Sequence, residues 1–86
     1  MEQTKKSIHM KIVDLARGLG HDASNLRLDE QIPASGFLDS AAIMELILWL
    51  ENEYNLTIPQ EDLTLVNLGT IDAIAEYLRR ASASPA

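Results

Sequence analysis

The run from Ser40 to Tyr54 restricts the fold more than any other stretch of this 86-residue chain. Ala41-Ala-Ile-Met-Glu-Leu-Ile-Leu-Trp-Leu-Glu-Asn-Glu holds neither glycine nor proline, so it reads as a helix with Asp39 or Ser40 as its cap. At roughly 100° per residue, Leu46, Ile47, Leu50 and Tyr54 fall within about 60° of Ile43 and form the expected core face. Met44 and Leu48 lie at about 100° and 140°, on a second apolar strip that descends from Ser40 past Ala41. Trp49, at about 240°, is on the opposite flank. So short a chain does not enclose one helix on every side, which places Met44 and Leu48 at the surface as a docking strip. The competing reading folds the first loop over them as ordinary core. Trp49 is expected under that loop or under the short helix that follows.

The flanking segments have the same period. Ile8, Ile12, Leu15 and Leu19 make one stripe of a helix from about Lys5 to Leu19, closed by Gly18 and Gly20. Residues 20–39 are too long for a turn and carry Asn25, Pro33, Ser35 and Gly36, so they read as a long loop pinned by Leu26, Leu28, Ile32, Phe37 and Leu38. Pro59 with Gln60, Glu61 and Asp62 marks a short helix, and Leu63, Leu65, Val66 and Leu68 are expected to pack that region down as far as Gly69. Thr70 caps a last helix whose buried stripe is Ile71, Ile74, Ala75 and Leu78. No segment alternates long enough to be a strand. The expected fold is all-α: a small bundle of three main helices plus one short helix, with a long first loop. It forms one domain over 1–86, ordered from about 5 to 80, with a flexible tail at 81–86.

Composition removes whole classes of function. The chain has no cysteine, two histidines and no apolar run of bilayer length, which excludes a thiol nucleophile, a Cys-based zinc site, a disulfide framework and direct membrane insertion. No signal-peptide core follows Met1, so a cytoplasmic location is expected. The net charge of −6 is unevenly spread. Lys5, Lys6, Lys11, Arg17, Arg27, Arg79 and Arg80 all lie towards the ends, and residues 28–78 hold only acids: Asp29, Glu30, Asp39, Glu45, Glu51, Glu53, Glu61, Asp62, Asp72 and Glu76. Such a surface repels nucleic acid and attracts basic protein surfaces. No catalytic or metal-binding set is expected. Ser40 lacks the Gly-x-Ser-x-Gly elbow, His9 reads as bordering core or solvent, and His21 as a loop residue. Asp22, Ser24 and Leu26 do not make a calcium loop.

Gly36-Phe-Leu-Asp-Ser40, opening a helix that continues Ile43-x-x-Leu46-Ile47-x-x-Leu50-Glu51 and ends Tyr54-x-x-x-Ile58-Pro59, resembles the acyl carrier protein family. Gly69-Thr-Ile71-x-x-Ile74-x-x-Tyr77-Leu78 looks like that family's last helix. The resemblance runs from about Ile8 to Leu78. It implies a 4′-phosphopantetheine arm from coenzyme A, attached to Ser40 by a phosphopantetheinyl transferase using magnesium, with cargo carried as a thioester. Asp39 matches the family's acid before the serine and is implied to support the helix start and the transferase. A phosphodiester at Ser40 would sit at the positive end of the helix dipole. For Ser40 alone, the plain alternative is an N-cap serine.

The resemblance further implies a stand-alone, monomeric carrier with a partner-binding strip of Ala41, Met44, Glu45, Leu48 and Glu51. Its partners would be the transferase, an acyl- or aminoacyl-activating ligase, and a downstream acyltransferase or synthase. Charge reversal at Glu45 or Glu51 is expected to slow loading while sparing the fold. Two positions depart from the family: Ala41 stands where leucine is common, and Ala42 where a further acid often follows. Glycine four residues before the serine looks more like D-alanyl and other small aminoacyl carriers than like the carrier of fatty acid synthesis. The rival class is a carrier-like acidic adaptor that is never modified and only binds proteins.

Overall fold

The computed structural model of the chain describes residues 2–83. Its elements are α1 (Glu2–Gly18), α2 (Ile32–Ser35), α3 (Ser40–Glu53), a 3-10 turn (Gln60–Asp62), α4 (Leu65–Leu68) and α5 (Ile71–Ala83). The described residues form no strand, so the architecture is the expected all-α bundle of three main helices. α1 packs against both α3 and α5, and the chain between α3 and α5 closes the remaining side.

α1 buries Ile8, Ile12 and Ala16, spaced one helical turn apart. Leu19, expected on this stripe, is instead 41% exposed. The helix ends in a Schellman motif: His21 N–H donates to Ala16 O at 2.9 Å and Gly20 N–H to Arg17 O at 3.0 Å, with Gly20 at φ +83°. This turn carries Leu19 off the helical stripe. At its other end α1 begins at Glu2, a turn before the expected Lys5.

The first loop is held by Ala23, Leu26, Ile32 and Leu38, all buried, with Phe37 half-buried. Leu28 is exposed, contrary to expectation, because its backbone makes the contact: Leu28 O accepts from Asp72 N–H at 3.0 Å at the start of α5. His9 does border the core, and its Nε2–H donates to Ala23 O at 3.1 Å, tying α1 to the loop. Within the loop α2 forms a single turn, begun by Pro33 and ended by Gly36 at φ +81°. Ile32 N–H donates to Gly69 O at 2.7 Å. Gly69 has to be glycine for space, since a Cβ there would collide with Leu65 O and meet Gln31 Oε1 at 2.7 Å.

The expected single short helix is two separate turns. Thr64 restarts the chain after the 3-10 turn, its hydroxyl accepting from Asn67 N–H at 3.2 Å. This break leaves Leu63, Leu65 and Val66 exposed instead of packed, and of that group only Leu68 joins the core. α5 fastens the segment through Tyr77, whose OH donates to Asp62 Oδ2 at 2.7 Å, and within the segment Asn67 Nδ2 donates to Asp62 O at 3.1 Å. Thr70 caps α5 as expected, and Ile71, Ile74, Ala75 and Leu78 are buried together with Tyr77. The helix continues to Ala83 with Ala81 against the core, and 84–86, the end of the expected flexible tail, lie outside the described residues.

Trp49 lies against α1, not under the loop or the short helix. Its ring meets Lys11 Nζ at 5.9 Å and packs edge-on to Tyr54 at 6.1 Å. The buried arc of α3 is accordingly turned towards this flank: Ala42, Leu46 and Leu50 are buried, whereas Ile43 and Ile47 are half-buried.

Two measurements check this packing. Leu50→Ala, at a fully buried position, should lower unfolding free energy in urea by about 2–5 kcal/mol, whereas the exposed Leu48→Ala should stay within about 0.5 kcal/mol of the parent. Burial, then the hydrogen bond to Asp62 and its charge, pushes the Tyr77 hydroxyl up to about 12. The native state therefore holds this proton more tightly than the unfolded chain. Its contribution is complete below the ordinary tyrosine value near 10 and is lost as pH rises towards 12. Tyr77→Phe should flatten the alkaline fall in stability over that interval, and an unchanged slope would exclude Tyr77 as its source.

Candidate functional site

The loop delivers Ser40 to the surface through a sequence of local constraints. Gly36 reverses the chain after α2, Leu38 is buried, and Asp39 follows in extended conformation at φ −87° and ψ 179°. Asp39 Oδ1 accepts from Ala42 N–H at 2.8 Å and its carbonyl from Ile43 N–H at 2.9 Å, so Asp39 is the N-cap of α3. Of the two capping candidates the structure selects Asp39. Ser40 is then the first helical residue, exposed, and its hydroxyl forms no hydrogen bond among the described residues.

This placement separates two jobs that one serine could not do together. An N-cap serine holds its oxygen against backbone N–H groups, whereas Ser40 Oγ stands free of them. The first N–H groups of α3 point towards the helix N-terminus, where a phosphate ester is favoured by the helix dipole. The residues present thus fit a phosphodiester-linked group at this position: a reachable hydroxyl, a helix start held by another side chain, and local positive potential.

The strip expected below Ser40 is present in part. Ala41 and Glu45 are exposed, Met44 is 50% exposed and Leu48 58%. The loop does not cover them. Ala42, in contrast, is buried against the core and presents no surface to a partner. Glu51 is half-buried, and its Oε2 accepts from Ile58 N–H at 2.8 Å. After α3, Asn55 at φ +54° turns the chain back so that Leu56 N–H reaches Glu51 O at 3.0 Å. Glu51 thus closes the end of α3, a role not visible in its spacing from Glu45.

The exposed Leu63, Leu65 and Val66 add apolar surface where their composition predicts packing. The signal for them was present in Leu63-Thr-Leu-Val-Asn-Leu68, which has more apolar side chains than a single turn can bury. Leu63 and Leu65 line an apolar cavity of about 190 Å³ with Ile43, Leu46, Ile47, Leu50 and Leu68. Ile43 and Ile47 are half-buried because they face this opening rather than a neighbouring helix. No described helix is long and apolar enough to cross a membrane.

Comparison with known proteins agrees with this geometry. The family model described as "Phosphopantetheine attachment site" matches residues 12–78, which span the end of α1, the whole first loop, Ser40, all of α3 and most of α5. The acyl carrier protein of Bdellovibrio bacteriovorus is 32% identical over 75 residues, covering 86% of this chain and 94% of that protein. The acyl carrier protein of Exiguobacterium sibiricum is 32% identical over 76 residues, covering 87% and 94% respectively. A D-alanyl carrier protein of Lactobacillus delbrueckii subsp. bulgaricus is 27% identical over 74 residues, covering 85% and 91%. No solved structure matches the chain significantly. A helical bundle with an exposed serine at a separately capped helix start, matched over most of its length by the attachment-site model, belongs to the phosphopantetheine-attachment carrier family, and this chain is a carrier with a covalently attached 4′-phosphopantetheine rather than an enzyme.

Proposed function

We propose that Ser40 Oγ is the attachment atom and that Ala41, Met44, Glu45 and Leu48 form the surface by which enzymes reach it. The observation that carries this reading is the cap: Asp39 Oδ1 holds Ala42 N–H at 2.8 Å and leaves the Ser40 hydroxyl uncommitted. In loading, Ser40 Oγ forms a bond to the phosphorus of coenzyme A that bears the pantetheine, the pyrophosphate bond breaks, and the nucleotide half leaves. The serine proton passes to the transferase. When bound, the arm supplies the thiol that a cysteine-free chain lacks, and it holds acyl cargo as a thioester.

Asp39 keeps the serine at the first turn, and the acids around it bias the surface towards basic partner faces. The partners on this reading are a phosphopantetheinyl transferase, an acyl- or aminoacyl-activating ligase and a downstream acyltransferase or synthase, met in the cytoplasm. The exposed Leu63 and Leu65 add apolar surface beside Ile43 and Ile47 on α3. Glu51 acts from within by fixing the turn after α3, so the expectation that its reversal spares the fold is replaced by one of lost stability.

Incubating the apo-protein with coenzyme A, magnesium and a broad-specificity transferase should raise the intact mass by one phosphopantetheine, and Ser40→Ala should stay at its own apo mass. No adduct on the parent protein would leave the unmodified adaptor as the better reading. An adduct on Ser40→Ala would place the attachment elsewhere. Glu45→Lys should slow loading several-fold at low salt and approach the parent rate at high salt, because an exposed charge acts through a screened field. Glu51→Ala should instead cost about 1–2 kcal/mol in urea unfolding, since Ile58 N–H loses a charged acceptor.

A further inference from the structure

The outer face of α1 carries a pattern that the carrier reading leaves unused. Lys6, Met10 and Asp14 stand four residues apart and form one ridge along the helix, the kind of row by which helices most often pack against each other. All three are exposed, and Met10 is 62% so. Lys5 is held by Asp72 of α5 at 3.0 Å, whereas Lys6 points its charge outward. Beside the ridge, α1 and Trp49 of α3 leave an open groove of about 490 Å³ bordered by Lys6, Met10, Lys11 and Asp14. Ser40, Met44 and Leu48 line no part of it.

The order of charges on the ridge selects its occupant. Positive, apolar and negative side chains at equal spacing about Met10 become their own complement when the order is reversed. A two-fold axis beside Met10 lays a second α1 antiparallel on the first, so that methionine meets methionine. Each Lys6, about 6 Å along the helix from Met10, then comes level with Asp14 of the other copy. A parallel pair would instead set lysine against lysine and aspartate against aspartate. A foreign protein would have to bring this pattern, and a second copy of the chain already has it. Asp14 is open to such a contact, because Arg17 meets it only at 3.5 Å with both side chains largely exposed, a weak pair that leaves room for another cation. Methionine, unbranched and polarizable, packs against its own kind without a shaped pocket. Each copy has a net charge of −6, but at physiological salt that distributed repulsion is screened beyond about 8 Å, and the two direct Lys6–Asp14 contacts are screened much less.

We infer that two copies of this chain associate back to back through α1, with Met10 on the two-fold axis and a Lys6–Asp14 pair on either side of it. One helix against one helix is a small contact, so the pair belongs to the weak, transient class of association and adds a reversible dimer to the monomer that the resemblance implies. The inference does not rest on Ser40 being the attachment site. Because the serine lines no part of the groove, both copies keep it exposed, and the dimer presents two α3 helix starts at once.

Sedimentation equilibrium of the apo-protein at physiological salt, taken up to about 1 mM to reach weak association, tests this. The average mass of the parent should rise with concentration towards that of two chains. Trp49, the one tryptophan of the chain, borders the groove, and its emission should shift over the same range. In Lys6→Glu two carboxylates face each other on either side of the axis, and in Asp14→Lys two cations do. Each variant alone should associate about tenfold or more weakly than the parent, and an equimolar mixture of the two should recover the dimer, since opposite charges then meet at both places. Glu61→Lys, on the 3-10 turn, changes net charge as Asp14→Lys does without touching α1 and should associate at least as well as the parent. A parent that stays monomeric at about 1 mM overturns the dimer and leaves the face to a different protein. Association that survives in both single variants, or a mixture that stays monomeric, overturns α1 as the interface.

Discussion

One hydrogen bond, from Ala42 N–H to the carboxylate of Asp39, decides what Ser40 can be. Helix starts leave N–H groups without partners, and the residue that satisfies them gives up its side-chain oxygen. With Asp39 in that role, the next residue enters the first turn with its hydroxyl outward. The cap in turn depends on the buried Leu38 before it and the buried Ala42 after it, which clamp the chain on either side of the exposed pair. An attachment serine needs to be both accessible and well positioned. For Ser40, the attachment site we propose, a carboxylate supplies the position and exposure supplies the access.

The rest of the bundle can be understood from how α3 is shared. Its buried arc runs through Ala42, Leu46 and Leu50, facing α1 and the centre of the bundle. Trp49 flanks this arc on the α1 side, where Lys11 lies over its ring. Rotation towards that flank leaves Ile43 and Ile47 at the edge of a cavity, and the broken segment 60–68 stands across its mouth. The segment is held to α5 by Tyr77 through Asp62 and by Leu68, and is braced internally by Asn67, so Leu63, Leu65 and Val66 remain in contact with solvent. A carrier has to release one enzyme before meeting the next. Apolar contacts flanked by like charges give surfaces that associate and part readily.

Much of this was legible in the residues. The uninterrupted run after Ser40, the Pro59 start, the Thr70 cap and the Ile71, Ile74, Ala75 and Leu78 stripe are local signals that tertiary packing left intact. The errors occurred where backbone geometry overrides periodicity. Leu19 satisfied the spacing of a stripe but sits past the last helical turn. Leu28 was counted as a pin for its side chain, while its carbonyl makes the contact. Leu63, Leu65 and Val66 read as core because they are apolar, yet Thr64 restarts the helix and leaves them outward. The resemblance puts Glu51 with Glu45 on the partner strip, although the return of the chain at Asn55 brings the Ile58 N–H onto its carboxylate.

The sequence by itself determined the all-α class, the three main helices, the acidic middle of the chain and the resemblance that singles out Ser40, because each rests on neighbours within a few residues or on charge that needs no fold to be counted. Only the tertiary structure decided which of Asp39 and Ser40 is the cap, which way α3 is rotated, and that Ala42 is core. Those outcomes depend on where one helix lies against another. Helical periodicity defines faces relative to one another, but packing alone sets which face turns inward.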